Sequence, residues 1–251
     1  MAHTPAAAPL LTIRSSHVEI VASFPAFIAL VLCIGISYVA HFEEATRTHC
    51  NVPNILPSVS SSIGGFLPEK CIWQFAMAIV CAPRVLQSVL IYKYYQSRPM
   101  LQNSLFRVCN LLKFLLANAE LFFLLLLSFV TSTENYPVHE VGFVGFIIFS
   151  VLHMTIQLVL QYPLARVNAK ANSAFSFKLK LVCLVGHAAS FAAAMYCFFR
   201  HNDYCEPYMY SQFAFFEYVT IVFNIISHAS ALLEIGDTFI VFGVLDSAKH
   251  L

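Results

Sequence analysis

The sequence predicts an all-α membrane protein: a bundle of six transmembrane helices, both termini cytosolic, with one long first luminal loop. Two observations carry that fold class. Hydrophobic residues make up 59% of the 251-residue chain and charged residues only 11%, whereas a soluble domain needs roughly 25% charged residues to hydrate its surface. The apolar residues also gather into six stretches, each near the ~20 residues a helix needs to cross the hydrocarbon core. A formal net charge of +1 supplies no basic stripe for nucleic acid.

Residues 1–19, with His3, Pro5, Pro9 and an Ala run, read as a disordered cytosolic lead. The six-span domain then occupies residues 20–237, and residues 238–251 form a cytosolic tail. Span one, Ile20–Phe42, exceeds a signal-peptide core, and no small-residue cleavage site follows it. It is read as retained. The segment Glu43–Lys70 follows, and its three prolines, adjacent glycines and serines exclude a long helix. Val52, Ile55, Leu56, Val59 and Ile63 mark it as a loop packed on the bundle mouth, and loops of this length are commonly functional. The remaining spans are Cys71–Tyr92, Phe106–Val130, His139–Tyr162, Leu179–Phe199 and Ser211–Leu233. Pro25 and Pro83 interrupt two spans, which membrane helices tolerate where neighbouring groups take up the freed carbonyls.

Lys and Arg in the loops set the orientation. Arg14, Lys93, Arg98, Arg107, Arg166, Lys170, Lys178, Lys180 and Lys249 fall on one side, against only Arg47, Lys70 and Arg200 on the other. The first side is therefore cytosolic and holds both termini. Of eight cysteines, Cys50 and Cys205 lie in the loops assigned to the lumen and Cys71 at the membrane edge. Three thiols in an oxidising compartment allow three pairings or none. Cys50–Cys205, tying the first luminal loop to the third, is the favoured one.

Ionisable groups inside spans are costly and face the bundle interior. Glu217, Ile221, Asn224 and His228 are spaced 4, 3 and 4 residues apart, on one helical face. Ser150, His153 and Gln157 form a similar stripe, as do Cys183, His187 and Ser190, while Arg84, Gln87 and Ser88, and Asn118 and Glu120, add to it. Either these groups glue helices together, with Arg84 paired to Glu120 or Glu217, or they line a polar cavity that admits a headgroup or water. On the cavity reading Arg84, Glu120, His153, Glu217, Asn224 and His228, with Asn202 at the rim, are substrate-binding candidates.

The luminal rim gathers His41, His49, His139 and His201, with Glu140 and Asp203 beside them in sequence. A neutral imidazole oriented by a carboxylate is a general base for deprotonating a hydroxyl near neutral pH. That makes His201, His49, Asp203, His139 and Glu140 catalytic candidates. No two of these histidines have i, i+4 spacing, so the pattern gives zinc little support, and no metal or cofactor is assigned.

Several strings here are not generic. His41-Phe42, Thr48-His49-Cys50, Val52-Pro53-Asn54, Leu56-Pro57-Ser58-Val59-Ser60 and Ile63-Gly64 resemble the first luminal loop of the post-GPI-attachment-to-proteins factor 2 family, in the Frag/DRAM/Sfk superfamily. Ala82-Pro83-Arg84, Glu120, Thr131-Ser132-Thr133-Glu134, His139-Glu140, His153-Met154, Phe199-Arg200-His201-Asn202, Tyr204-Cys205-Glu206, Glu217-Tyr218, Asn224 and His228 also fit. The resemblance spans about residues 14–237. It implies a multi-pass protein of the Golgi or endoplasmic-reticulum membrane that acts in fatty-acid remodelling of GPI anchors, with lyso-GPI, GPI-anchored proteins and membrane lipids as partners. The family is associated with reacylation at sn-2 by a saturated, stearoyl chain, from a donor the sequence does not name. On an acyltransferase reading, His201 or His49 is the base, Asp203 or Glu140 its orienter, and Arg84 or Asn202 the charge stabiliser. The alternative is a non-catalytic carrier or scaffold that presents lyso-GPI to a separate acyltransferase.

Overall fold

The computed structural model describes residues 10–98, 103–167 and 171–242. Strand β1 (Leu11–Arg14) leads into α1 (Ser15–Ala40); two short helices, α2 (Phe42–Thr46) and α3 (Val59–Gly64), follow. Then come α4 (Leu67–Gln96), α5 (Ser104–Phe129), α6 (Tyr136–Val167), α7 (Ala171–Tyr204), α8 (Met209–Ala229), α9 (Leu232–Ile235) and β2 (Phe239–Phe242). Among the described residues, six helices are long and apolar enough to span a membrane. The chain is a multi-pass helical membrane protein.

The outward faces are apolar: Phe24, Ile28, Val31, Phe122, Val182 and Val185 are all exposed. Inside, Glu19, Glu69, Glu120, Lys180, His187 and His201 are almost wholly buried. A soluble fold distributes these residue types the other way round. The extensive helix–helix pairs are α5 with α6, α7 with α8, and α1 with α4. Gly142 lets the first pair close up, because a Cβ there would lie 2.8 Å from the backbone nitrogen of Leu127. Pro25 and Pro83 sit inside continuous helices, as the spans required.

One expectation at the chain ends needs correction. The lead of residues 1–19 does not run disordered to its end, because β1 begins at Leu11 and α1 at Ser15. Part of the tail is likewise a strand, β2, which pairs antiparallel with β1 in the register Leu11↔Phe242 to Arg14↔Phe239. Arg14 Nε donates to the Gly236 carbonyl at 3.2 Å and its Nη2 pairs with Asp237 at 2.5 Å. The partners lie more than 220 residues apart, so no local pattern announced them. The pairing brings both described ends of the chain to one end of the bundle. Residues 1–9, Lys170, Lys249 and the tail beyond 242 lie outside the described residues.

At the opposite end, the loop after α1 lies across the bundle. Ser58 caps α3 by accepting from Ser61 N at 3.1 Å, as capping serines do. Val59 and Ile63 of α3 pack on Ala26, Ala29, Leu30 and Cys33 of α1 and on Trp73, Met77 and Val80 of α4. The loop is tied down from α8: Ile55 N donates to Ser211 Oγ at 2.8 Å, Val59 N to Glu217 Oε2 at 2.9 Å, and Tyr218 Oη to the Pro57 carbonyl. The Cys50–Cys205 disulfide, across 155 residues of sequence, fixes it to the turn after α7.

Candidate functional site

Midway through the bundle, the two Glu120 carboxylate oxygens collect three donors. His153 Nδ1 lies 2.9 Å from Oε2, and His228 Nε2 and Asn224 Nδ2 each lie 2.8 Å from Oε1. All four residues are buried, and the two imidazoles stack at 5.0 Å. With each imidazole in the tautomer that donates, three donors around two oxygens is the arrangement of an ionised carboxylate, which can only accept. The stripes of α5, α6 and α8 therefore meet at one point, and Glu120 is the group they share.

Arg84 departs from expectation. It forms no hydrogen bond or ion pair with Glu120 or Glu217 among the described residues, and its Nε is buried without a partner, although it lies close enough to Glu120 and Glu19 to interact with their charges. The guanidinium is left facing two cavities that meet beside it.

The larger cavity encloses about 780 Å³ of space not filled by atoms, part of it open to the outside. Its walls are apolar: Leu124, Phe143, Phe146, Ile147, Phe191 and Phe213. Ser60 and Glu217 stand at the loop end, Arg84 and Asn224 towards the middle of the bundle. From Phe213 to Asn224 this is about 16 Å of helix at 1.5 Å per residue. The second cavity, about 470 Å³, lies towards the end holding the termini, and Gln87, Asn110, Lys113, His153, Gln157 and His228 line it with Arg84. An apolar slot with a cation and an amide at its inner end suits a lipid chain below a polar group.

The four rim histidines separate. His49 and His201 come together, rings edge-to-face at 5.6 Å, and His201 Nε2 meets Thr48 Oγ1 at 3.0 Å. His139 is buried elsewhere: Nδ1 is 2.9 Å from the Val130 carbonyl and Nε2 is 3.0 Å from Ser60 Oγ. His41 stacks on Phe66 at 4.0 Å. The carboxylates expected to orient these bases do not reach them. Asp203 and Glu140 are exposed on the rim, as is Asn202, because adjacent residues of a helix point in different directions. A backbone carbonyl orients His139 instead.

Sequence reasoning missed several interior groups. Glu19, assigned to the lead, is fully buried and accepts from Gln87 Nε2. Lys180, counted as a loop cation, is 1% exposed and pairs with Glu234. Lys113 was overlooked, although an ionisable residue seven positions inside the span Phe106–Val130 was a readable signal.

Among the described residues, two groups have metal-binding residue types. His49, Cys50 and Cys205 converge, but both sulfurs are spent in the disulfide. Glu120, His153 and His228 offer ligand atoms within 4.8 Å of one another. Those atoms already satisfy each other by hydrogen bonds, and the nearby Arg84 guanidinium opposes a second cation in a medium of low dielectric. The arrangement fits a hydrogen-bonded triad better than a divalent metal.

Outside the spans, Glu134 accepts from Lys70 Nζ at 2.6 Å and from Thr131 N and Oγ1 at 3.1 and 3.0 Å. These donors, Lys70 first, hold its carboxyl down at about 2. The pair locks the α5–α6 turn to the start of α4, and Thr133 Oγ1 donates to the Gly64 carbonyl of α3 at 3.0 Å.

The Frag1/DRAM/Sfk1/Cwh43P N-terminal domain model matches residues 14–238. The chain is 37% identical over 215 residues to a Xenopus tropicalis protein named acyltransferase PGAP2, covering 86% of this chain and 84% of that protein. It is 34% identical over 206 residues to a Caenorhabditis elegans protein named post-GPI attachment to proteins factor 2, covering 80% and 78%. A Danio rerio protein named acyltransferase PGAP2 is 33% identical over 198 residues, covering 79% and 85%. No solved structure matches the chain significantly.

Proposed function

The chain belongs to the Frag1/DRAM/Sfk1/Cwh43P family, and from that premise we propose that it remodels GPI anchors by reacylating lyso-GPI at sn-2 with a saturated, stearoyl chain. The names of its relatives support the pathway. The observation that carries the chemistry is the apolar cavity beneath the loop, at whose rim the Ser60 hydroxyl meets the His139 imidazole. Acyl transfer needs those elements: a site for the chain, a base for a hydroxyl, and water kept away from the intermediate.

On this reading the loop end is luminal, the side where the GPI lipid lies, and the membrane is that of the Golgi or endoplasmic reticulum. Both termini are then cytosolic. The acyl chain runs down the cavity towards Asn224 and Arg84. Glu120, His153 and His228 hold Asn224 in place, and Glu217 stands near the reacting end. Asn202, Asp203, Glu140 and His49 face the headgroup region. His139 is the better-placed base, since His201 spends its Nε2 on Thr48 away from the cavity lining.

The test is reconstitution. Purified protein in nanodiscs receives lyso-GPI with a stearoyl phospholipid or, in parallel, stearoyl-CoA, and diacyl-GPI is read by mass spectrometry. Product with either donor supports the reading. Lyso-GPI binding without product from any donor would replace it with a carrier that presents the lipid to a separate acyltransferase.

A further inference from the structure

His139 contacts one carbonyl and one hydroxyl, and that fixes the tautomer of its neutral ring. A carbonyl can only accept, so Nδ1, 2.9 Å from Val130 O, carries the proton. Nε2 is therefore bare, and Ser60 Oγ, 3.0 Å away, donates to it. Ser60 Oγ has no other hydrogen-bond partner among the described residues, and Ser60 lines the apolar cavity. A hydroxyl held against a bare imidazole nitrogen, the imidazole itself oriented by a third group, is the arrangement of an activated nucleophile.

Two similar pairs in the same molecule lack the same outlook. Ser150 Oγ lies 2.9 Å from His187 Nε2, but it also meets the Ile147 carbonyl at 3.0 Å, is fully buried and lines neither cavity. Thr48 meets His201 at the disulfide, also outside both cavities. Ser60, by contrast, opens onto space shaped for a chain, and its neighbours are pinned on both sides. Val59 N is held by Glu217, and Ser61 Oγ donates to the Ala45 carbonyl at 2.9 Å. Such support fixes a reacting group to the fraction of an ångström that chemistry needs.

We propose that Ser60 is a covalent acyl carrier, with His139 its general base, so that acyl transfer proceeds through an acyl-serine in two half-reactions. This rests on the acyltransferase reading and deepens it. In the first half, Ser60 Oγ attacks the acyl carbonyl of the donor. The Oγ–C bond forms, the bond from the carbonyl to the donor's oxygen or sulfur breaks, and the serine proton passes through His139 Nε2 to the departing alcohol or thiol. In the second half, the sn-2 hydroxyl of the lysolipid gives its proton to Nε2 and attacks the acyl-serine. The C–Oγ bond breaks, and Oγ takes the proton back. No oxidant or metal is needed. The chain stays in the cavity throughout, so the donor alcohol can leave before the acceptor arrives.

The test uses full-length protein in nanodiscs and a hexadecyl fluorophosphonate, which phosphonylates activated serines. Peptide mass spectrometry should find the adduct on Ser60, and labelling of His139→Gln should be about 100-fold slower, the lower end of a general base's contribution. Stearoyl phospholipid and stearoyl-CoA, each given without acceptor and quenched in acid, should leave a stearoyl ester on Ser60 from whichever is the donor. Wild-type protein alone decides the point, so misfolding of a variant does not obscure it. No phosphonate or stearoyl on Ser60, or unchanged labelling in His139→Gln, overturns the proposal. Diacyl-GPI formed at the wild-type rate by Ser60→Ala would also overturn it and leave the reacylation reading intact. A Ser60 adduct that never discharges to lyso-GPI would keep the nucleophile and overturn the choice of acceptor.

Discussion

Replacing Glu120 by Gln separates the charge of the central triad from its hydrogen bonds. The amide oxygen can still accept from Asn224 and His228, which share Oε1. The new NH2 would face His153, which can change tautomer and accept. Three intramembrane hydrogen bonds at about 0.6 kcal/mol each come to about 2 kcal/mol, and the Gln variant keeps most of that. It loses the negative charge beside Arg84, and stranding a fully buried charge costs about 3–5 kcal/mol, an upper limit here because Arg84 is half-buried and Glu19 stays near it. At roughly 2–4 °C per kcal/mol for a chain of this size, Glu120→Gln should lower Tm by up to about 20 °C in detergent. Adding Arg84→Met should restore most of the loss, since it removes the stranded cation. A Glu120→Gln protein that melts within 2 °C of wild type, or a double variant with no recovery (near-additive effects mean no coupling), would refute the electrostatic account.

Other outcomes follow from the same contacts. Removing Cys50–Cys205 by paired serine substitution should destabilise by at most about 5 kcal/mol, the loop-entropy value for a 155-residue separation; alkylation of purified protein should find neither sulfur free. Glu134 is held below the usual carboxylate range, at about 2, so its stabilising pairing is complete above pH ~4.3 and is lost as pH falls through about 2. The Tm gap between wild type and Glu134→Gln should thus stay constant from pH 8 to 5 and close only near pH 2; closure by pH 6 would count against it. Gly142→Ala puts a Cβ against the Leu127 backbone and should cost about 1–3 kcal/mol by overpacking, read as a lower Tm. Ala194→Phe, on the cavity wall, should cut stearoyl transfer at least tenfold with Glu120 contacts preserved; unchanged transfer would place the chain elsewhere.

Much of this molecule was legible because its signals are local. Each span is a run of about 20 apolar residues, and the bilayer's thickness reads that run without help from its neighbours. Helical spacing put Glu217, Asn224 and His228 on one face. The redox logic of three loop thiols favoured the pair that forms, Cys50 with Cys205. The same reasoning found Glu120, His153 and His228 as interior groups.

What it could not find were the partners, since these depend on how far each helix is rotated and at what depth it meets the next. Glu120 takes the imidazoles of α6 and α8 while Arg84 stays unpaired. His139 turns from its sequence neighbour Glu140 to a carbonyl and a serine 79 residues away. β1 finds β2 across nearly the whole chain. Composition and periodicity determine that a polar residue in a span faces inward. Only tertiary packing, at the scale of a hydrogen bond, decides which buried donor meets which acceptor and which hydroxyl is left looking into a cavity.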